Sequence, residues 1–461
     1  MLTKHLNSDF NEHHTIVLPY YSKLNVASIP LETLDSFSVT TDHWGTLDCI
    51  VYREVRNPSE NQIIYIRNDF LYNRKGGVYR DEKYVEWDDV AERSFFFGEA
   101  IAQWISRSSL EFDIIHVNEW QTSYAAYLLK KYNKKKKLKT SIVYNIHSFE
   151  HRGLVESYQL PIKHSVELEG IFTHLTFDLL SLGLYVSDYI VTCSENYCLE
   201  LKESAKGSMK ELLSSKPFIG ITSGVDCEFW TPENTTYLPT PYDDRSFVEG
   251  KSASKSELMR KMKIPHVRNP ILIGISSRFV EQKGVAELVT VLTELLKREY
   301  VIVTLMGQVE PTFVEAFRTL ECNHPHQVRY LSAFDMEIAF LIYAGSDFTI
   351  MPSYTEPCGL NQQIAQAFGT ISLCAPVGGL VDTIVSHLSN PDKSDGFLID
   401  FSDIKQALKQ VNSVLDWYTT NKTEVYELIS RAMRKDNSWL NTASKFSSYY
   451  QSIRKGTENV E

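Results

Sequence analysis

A single carboxylate, Glu356, stands where an apolar strand pattern gives way to a helix pattern. FTIMPS (348–353) is typical of a buried strand, and LNQQIAQAFG (360–369) is typical of a helix that begins with side-chain amides. A carboxylate at such a junction can cap the helix and complement its dipole, or it can accept hydrogen bonds from sugar hydroxyls. Taken alone, the stretch leaves both interpretations open.

Two cations follow another apolar strand pattern. ISSRFVEQKG places Arg278 and Lys283 after the strand, and Gly284 begins the helix pattern GVAELV. Guanidinium and ammonium groups in front of backbone N–H groups suit a diphosphate. A solvated loop that happens to carry two charges is the alternative.

Two further features stand at predicted strand ends. PVGGLVDT places Gly378 and Gly379 before a helix, where uncapped N–H groups would face an anion, and the strand SIVYNIH ends in His147. A Gly-Gly turn and a lone histidine are each common structural features. Together with the cationic pair and Glu356, they predict a cleft for a nucleotide-sugar diphosphate.

The sequence predicts strands and helices that alternate along the chain, and the ends of these strands would position the candidate site residues. The rhythm of short β-branched runs and longer helical patterns predicts βα units, parallel sheets and two Rossmann-like halves. The polar stretch from Thr231 to about Lys263 is the candidate linker. The carboxyl ends of such strands border the crevice in which open α/β sheets bind ligands.

Bulk properties narrow the class of protein. A chain of 461 residues exceeds the ~250–300 that one core supports, so two domains are expected. The net charge of −11 argues against nucleic acid as the main partner. No apolar run reaches the ~18 residues of a membrane span, and the polar start does not resemble a signal peptide. The lysine-rich stretch Lys130–Lys139 is either a solvated turn or an anion-binding patch.

Cysteine usage bears on the compartment and on metals. The seven cysteines are scattered, with neither a CxxC pair nor a histidine at zinc-ligand spacing. This pattern indicates a reducing compartment, so cytoplasm is the expected location. It predicts no metal site.

Four dense motifs resemble one family. They are SSRFVEQKG, IYAGSDFTIMPSYTEPCGLNQ, FGTISLCAPVGGLVDT and RAMRKDNSWLNTASKFSSYY. With DIIHVNEWQT and NIHSFEHRGL also in register, the chain from about His14 to Ile453 is similar to the glycogen synthases and the bacterial and plant starch synthases. Sister families carry a second Glu where this chain has Ile364, which favours the glucan synthase branch.

The resemblance implies an α/β GT-B fold, with two Rossmann-like domains facing a central cleft. Its expected domains are residues 1–240 on the acceptor side and residues 241–435 around the nucleotide sugar. Residues 436–461 would form a C-terminal helix that crosses back to the first domain. If the source is a plant or alga, the resemblance makes the plastid an alternative to the cytoplasm.

The resemblance also implies roles for particular residues. Arg278 and Lys283 would neutralise the diphosphate, Glu356 would sit near the donor glucose, and His147 would contact the donor sugar. The remaining expected positions are Cys358, Gly359, Leu360, Gly378, Gly379 and Leu380 for donor binding, and Asp89, Arg93, Asn118 and Glu119 on the acceptor side.

The implied reaction is transfer of glucose, with retention, from ADP-glucose or UDP-glucose to the non-reducing end of an α-1,4-glucan. It would need no cofactor and no metal. The expected partners are thus a nucleotide sugar and an α-glucan, and a homo- or hetero-oligomer stays open. Two alternatives also stay open: a glucosyltransferase with another acceptor, and a catalytically weak homologue that binds glucan or acts as a partner subunit.

The chain departs from the family pattern at several points. The N-terminal Lys-x-Gly-Gly-Leu segment is absent, so the first domain is expected to lack its usual first strand. A different start, a substitute segment or a rearranged domain would each account for this. Near the site, Tyr354 and Thr355 replace Arg and Phe, Glu119 replaces Asp, and Ser148 replaces Asn.

Overall fold

The structure is a computed structural model of the chain. It describes residues 1–21, 29–55, 61–81, 85, 87–108, 110–172, 178–233 and 236–456. Within those ranges no helix combines the length and the apolar character needed to cross a membrane. Residues 234–235 of the predicted linker and 457–461 of the predicted C-terminal helix lie outside the described ranges.

The chain divides into two compact units. The first contains Met1–Cys193, Cys198–Ile221 and Thr442–Glu461, and the second contains Ser194–Tyr197 and Thr222–Asn441. The domain bounds expected from the sequence, 1–240, 241–435 and 436–461, stay predictions. In the structure the main change of unit falls after Ile221, ahead of the predicted linker.

The described part of the first unit carries eight strands and, ahead of the C-terminal helix, eight α-helices. The strands are β1 (Thr15–Pro19), β2 (Leu31–Thr41), β3 (Gly45–Glu54), β4 (Gln62–Arg67), β5 (Ile114–Asn118), β6 (Ser141–Ile146), β7 (Tyr189–Thr192) and β8 (Phe218–Gly220). The helices are α1 (Leu2–Phe10), α2 (Asp69–Tyr72), α3 (Val90–Ser108), α4 (Ser123–Lys136), α5 (Ser165–Phe172), α6 (Leu179–Val186), α7 (Glu195–Ser204) and α8 (Gly207–Ser214).

These strands form two separate sheets of four. One has the order β1-β4-β3-β2, in which β1 runs parallel to β4 and β3 is antiparallel to both of its neighbours. The other, β5-β6-β7-β8, is parallel throughout. In the described chain β1 and β5 are therefore both edge strands. The described residues of this unit do not form a single continuous Rossmann-like sheet, and the absence of the usual first strand stays a prediction.

The C-terminal helix packs into the first unit. Residues Trp439–Arg454 form this helix, α17. Phe446 and Tyr450 are buried with Leu6 of α1 and Val143 of β6 in one apolar cluster. In the middle of the helix, Ser447 Oγ donates a hydrogen bond at 2.8 Å to Glu12, which is 8% exposed.

The second unit is a six-stranded parallel sheet between helices. Its strands are β9 (Ile271–Ser276), β10 (Val301–Met306), β11 (Val328–Leu331), β12 (Phe348–Met351), β13 (Ile371–Cys374) and β14 (Phe397–Leu398). Its helices are α9 (Phe247–Lys261), α10 (Val285–Leu295), α11 (Val314–Asn323), α12 (Met336–Gly345), α13 (Asn361–Ala367), α14 (Gly379–Thr383), α15 (Ile404–Thr420) and α16 (Lys422–Met433). The strand order is β11-β10-β9-β12-β13-β14.

Apolar patterning explains this sheet and its cover. All residues of β10, β12 and β13 are buried, as expected for parallel strands covered on both faces. On α10, Val285, Leu288, Val291, Leu292 and Leu295 are buried at the 3–4-residue spacing of an amphipathic helix. They join the large apolar core of the second unit.

A buried histidine makes the stability of the first unit sensitive to acid. His116 of β5 lies with its Nδ1 2.5 Å from the Tyr450 hydroxyl, and burial lowers its pKa from 6.5 to about 3. Unfolding would return His116 to its ordinary pKa, so the unfolded chain takes up a proton that the folded chain refuses. The contribution of His116 to stability is complete above about pH 6.5 and is lost as the pH falls towards 3.

We expect His116→Gln to make the unfolding midpoint of the first unit less dependent on pH between about 6.5 and 4. Urea unfolding at a series of pH values measures this. His13→Gln, at an exposed histidine of the same unit, is the matched control. Equal pH slopes for the two variants would contradict the assignment.

Candidate active site

The strand order of the second unit creates one crevice at its carboxyl edge. From β9 the chain moves outward to β10 and β11, and it then returns to β12 on the other side of β9. The loops after β9 and β12 therefore lead away from each other. In open α/β sheets such a reversal point is where ligands bind. Lys283 follows β9 and Glu356 follows β12, so both lie at this point.

An ion pair joins these two loops. Lys283 Nζ lies 2.5 Å from Glu356 Oε2, and Ser353 Oγ donates to the same oxygen at 3.2 Å. Glu356 is 6% exposed, so its charge is largely removed from water. In the described chain, Glu356 Oε1 has no hydrogen-bond partner. One carboxylate oxygen is thus held by the protein and the other is available to a ligand.

The loops are also joined through their backbones. Tyr354 N donates to Gln282 O at 2.9 Å, and Gln282 Nε2 donates to Thr355 O at 3.3 Å. Tyr354 OH donates to Glu287 Oε2 at 2.7 Å, and this bond raises the pKa of Tyr354 to about 12. Tyr354 and Thr355, which depart from the family pattern, therefore still tie the Glu356 loop to the Lys283 loop.

Gly284 allows the close approach of the two loops. Its φ is +63°, and a Cβ at this position would lie 2.0 Å from Pro352 O. Only glycine combines the left-handed conformation with such contact at low cost. Lys283 is the residue before it, so the glycine helps to set where the ammonium group lies.

The side-chain amides after Glu356 hold the intervening turn. Gln362 Nε2 donates to Cys358 O and Gly359 O at 3.1 and 2.8 Å, and Gln363 Nε2 donates to Gly359 O at 2.8 Å. Asn361 Nδ2 donates to Ser276 O, at the end of β9, at 2.8 Å. Both glutamines are buried. The side-chain amides of Gln362 and Gln363 therefore supply hydrogen-bond donors to the backbone carbonyls of Cys358 and Gly359, in the turn before the helix.

The Gly-Gly turn differs from the expectation. Gly379 N donates to Glu356 O at 2.9 Å, and Leu380 N donates to Val377 O at 3.1 Å. The expectation that the N–H groups of this turn are uncapped therefore does not hold for Gly379, and the donor-binding role of Gly378, Gly379 and Leu380 stays a prediction. Gly378 has φ +46°, and a Cβ there would lie 2.1 Å from Glu356 O, so the turn supports the Glu356 loop instead.

The other predicted donor residues have different exposures. Arg278 is exposed, and among the described residues it has no ion-pair partner, so its charge is available. The Cys358 thiol is buried, and burial raises its pKa to about 11, so it is no nucleophile at neutral pH. Leu360 is exposed, whereas the Leu380 side chain is fully buried and can offer a ligand only its backbone.

A second group of predicted residues meets in the first unit, at the carboxyl ends of β5 and β6. His147 Nε2 lies 3.1 Å from Asn118 Oδ1, and Asn145 Nδ2 donates to the same oxygen at 3.2 Å. Glu119 Oε1 accepts from His147 N at 2.5 Å and from Ser148 N at 3.0 Å. The carboxylate thus holds the loop that carries His147, while the ring is oriented from Asn118.

Glu119 adopts an unusual backbone. Its φ of 63° and ψ of 169° lie in a region that is essentially restricted to glycine and costs about 1–3 kcal/mol. Burial raises the pKa of its carboxyl group, although the two N–H donors oppose this shift. A strained backbone conformation persists only where the contacts of the surrounding residues fix it, and such residues are most common at functional sites.

Asp89 and Arg93 form a network of their own. Asp89 pairs with Arg74 at 2.7 Å and with Arg93 at 3.2 Å. Arg93 is buried and donates to Val78 O at 3.3 Å, and its guanidinium carbon lies 5.8 Å from the centroid of the Trp87 ring. These contacts join Arg74 and Val78 to the start of α3, so both residues have a structural task beside the predicted acceptor role.

The structure therefore joins Lys283 with Glu356, and His147 with Asn118 and Glu119. Asp89 and Arg93 pair with each other instead of with those groups. The sequence reasoning missed Ser353, Gln282 and the Gln362–Gln363 pair as supports. The adjacent amides of LNQQ were the available signal, because buried amides need carbonyl partners.

Comparison with known proteins followed the same division of the chain. The family model for the starch synthase catalytic domain matches residues 2–215, and that for glycosyl transferases group 1 matches residues 258–431. The glycogen synthase of Lactococcus lactis subsp. lactis is 33% identical over 382 residues, which are 80% of this chain and 78% of that protein. The glycogen synthase of Protochlamydia amoebophila is 29% identical over 468 residues, covering 95% and 92%.

A solved structure shows the same fold. The catalytic domain of starch synthase IV from Arabidopsis thaliana, bound to ADP and acarbose, superposes with a TM-score of 0.85 at 23% identity. The match covers 98% of this chain and 94% of that one. The two-domain GT-B class expected from the sequence is confirmed.

Gly284→Ala tests whether the close contact between Gly284 and Pro352 O leaves room for a side chain. We expect it to cost more stability than Gly207→Ala, because Gly207 has a similar φ of +57° but open space around its Cβ position. The shared conformational strain is about 1–2 kcal/mol in both variants, and only Gly284→Ala adds the collision with Pro352 O. Thermal unfolding of both variants measures the difference. Equal losses would show that the contact is not restrictive.

Proposed function

The chain belongs to the glycogen synthase family, a family of glucosyltransferases, and we propose that it uses ADP-glucose to extend an α-1,4-glucan. Glucose is added to the non-reducing 4-hydroxyl with retention at the anomeric carbon. The Lys283–Glu356 pair at the reversal point of the second sheet is the observation that carries this proposal.

The proposed reaction exchanges one bond for another on a single face of the sugar. The bond between the anomeric carbon and the diphosphate oxygen breaks, and the acceptor oxygen forms its bond from the same side. The proton of the acceptor hydroxyl moves to the departing phosphate oxygen. Positive charge develops on the sugar ring while negative charge develops on the diphosphate, so the site must stabilise both.

The residues of the second unit match these two requirements. The free Oε1 of Glu356 provides a negative group for the sugar ring, and Arg278 provides an unpaired cation for the diphosphate. Lys283 pairs with Glu356 and carries the positive charge between the proposed sugar and diphosphate positions. On this proposal the diphosphate shares the Lys283 ammonium with Glu356, and fixed cations do the work that a metal ion does in other transferases.

In the first unit, His147 is proposed to contact the donor sugar, and Asn118 with Glu119 to position it. The contacts between these three residues support the proposal, because they define the orientation of the ring and of its loop. Asp89 and Arg93 are proposed to shape the acceptor side through their contacts with each other and with Val78.

ADP-glucose is favoured as the donor because the Arabidopsis starch synthase IV domain, which has the same fold, was solved with ADP and acarbose. We also propose a cytoplasmic location. The odd number of scattered cysteines supports it, since such a pattern is typical of a reducing compartment.

Glu356→Gln and Lys283→Met test the proposed roles. Each is expected to lower the turnover number by about two to three orders of magnitude, because each removes a charge that stabilises the transition state. Transfer of radiolabelled glucose from ADP-glucose into precipitated glycogen measures the rate. Glu281→Gln, at an exposed carboxylate on the same turn as Lys283, is the control and should retain near-normal turnover. Unimpaired turnover in either site variant, with the fold retained, would reject the proposed site.

The donor is tested by comparing ADP-glucose with UDP-glucose in the same assay. We expect a higher kcat/KM with ADP-glucose and an unchanged rate after addition of EDTA. A preference for UDP-glucose would overturn the proposed donor, and inhibition by EDTA would overturn the metal-independent mechanism. Glucan binding without incorporation from either donor would instead favour the catalytically weak homologue.

A further inference from the structure

A cavity of about 530 Å³ lies at the opposite edge of the second sheet. Pro270 and Asp347, which come directly before β9 and β12, are among its lining residues, so the cavity lies at the amino ends of these strands. Lys283 and Glu356 follow the carboxyl ends of the same strands. Because β9 has six residues, roughly 20 Å of sheet separates the two edges. The cavity is therefore distinct from the candidate active site.

Three lysines converge on the single carboxylate of this cavity. Lys251 and Lys255 lie one helical turn apart on α9, and Lys422 is the first residue of α16. Asp347 is the acidic residue among the lining residues, and Lys255 Nζ pairs with it at 2.6 Å. Another basic lining residue, Arg260, is already neutralised by Glu257 at 2.6 Å.

Asp347 has little capacity left for a second lysine. Its Oδ2 also accepts from Leu272 N at 2.7 Å, and its Oδ1 accepts from Tyr418 OH at 2.6 Å. Lys251 is 7% exposed, and its Nζ donates to three neutral oxygens: Ala344 O at 3.0 Å, Phe368 O at 3.2 Å and Thr370 Oγ1 at 2.9 Å. Its charge is thus solvated but not neutralised. Lys251 can therefore act on a ligand through its charge.

Lys422 also has no ion-pair partner among the described residues. Its Nζ lies 4.3 Å from the centroid of the Tyr418 ring, a position that adds cation–π attraction but no negative charge. It begins a helix of 12 residues, where the macrodipole is positive and a lysine is disfavoured. Partial desolvation lowers the pKa of Lys422, and burial lowers that of Lys251 to about 7, while the charge of Asp347 opposes both shifts.

The rest of the wall is suited to an organic group. Phe247 and Tyr426 meet edge to face at 5.7 Å, and Met259 and Ile264 add apolar surface. Ser252 on α9 adds a hydroxyl group. The volume falls within the ~300–1,000 Å³ of typical small-molecule sites.

We propose that this cavity is a binding site for a small organic phosphate, with Lys422 and Lys251 compensating the charge of a phosphomonoester dianion. Lysine suits phosphate as a point charge, and the aromatic and apolar wall accommodates the esterified group. The site goes beyond the proposed glucosyl transfer and does not depend on it, because none of its residues belongs to the candidate active site.

Glycerol 3-phosphate is a suitable probe, with glycerol as the uncharged comparison. Calorimetric titration is made in an Arg278→Ala background, so that phosphate binding at the candidate active site is weakened. We expect saturable binding of glycerol 3-phosphate and none of glycerol. Lys422→Ala should weaken the binding about tenfold, the effect of losing one charge-assisted hydrogen bond.

Lys409→Ala, at an exposed lysine of α15, is the matched control and should leave the affinity unchanged. Ser252→Trp, which fills the cavity from an exposed position on α9, should abolish binding. Both Lys422 and Ser252 are exposed, so retained unfolding midpoints will show that these variants fold. Absence of saturable binding, equal affinity in Lys422→Ala, or binding that disappears with Arg278→Ala alone would each overturn the proposal.

Discussion

A carboxylate buried at the end of a parallel strand needs a cation beside it, and this requirement organises the second unit. Glu356 is 6% exposed and its partner is Lys283, which comes from the loop after the neighbouring strand. Leaving such a charge unpaired would cost about 3–5 kcal/mol. The pair therefore holds together two loops that the strand order sends in opposite directions, and the crevice between them keeps a defined shape.

The same principle is used at both ends of β12. Asp347 before the strand pairs with Lys255, and Glu356 after it pairs with Lys283. The two pairs differ in what remains available. Asp347 accepts a backbone N–H and a tyrosine hydroxyl on its two oxygens, whereas Glu356 has one oxygen without a partner in the described chain. The Asp347 pair, in which both carboxylate oxygens have partners, stabilises the sheet. The Glu356 pair leaves one carboxylate oxygen that can accept a hydrogen bond from a ligand.

Much of the site was predictable because charged residues in apolar surroundings are conspicuous in a sequence. Arg278, Lys283 and Glu356 follow apolar strands, and the carboxyl ends of parallel strands share one edge. Glu119 was identified, but its strained backbone and its bonds to the His147 loop were not, since φ depends on what the rest of the unit imposes. The sequence could not show that the Gly379 N–H group is already hydrogen-bonded to Glu356 O, because a helix start with free N–H groups and one with bonded N–H groups have the same local sequence.

The lineage, the α/β class and the charged residues of the site follow from the amino-acid sequence, because strand periodicity and dense local motifs are properties of neighbouring residues. Pairing across loops is not such a property. Three features depend on contacts beyond neighbouring residues. They are the pairing of Lys283 with Glu356, the hydrogen bonds of buried glutamines to the turn at Gly359, and the division of the strands of the first unit into two sheets. These features were decided by the packing of the whole unit, because backbone and charged groups excluded from water must find partners wherever the fold brings them.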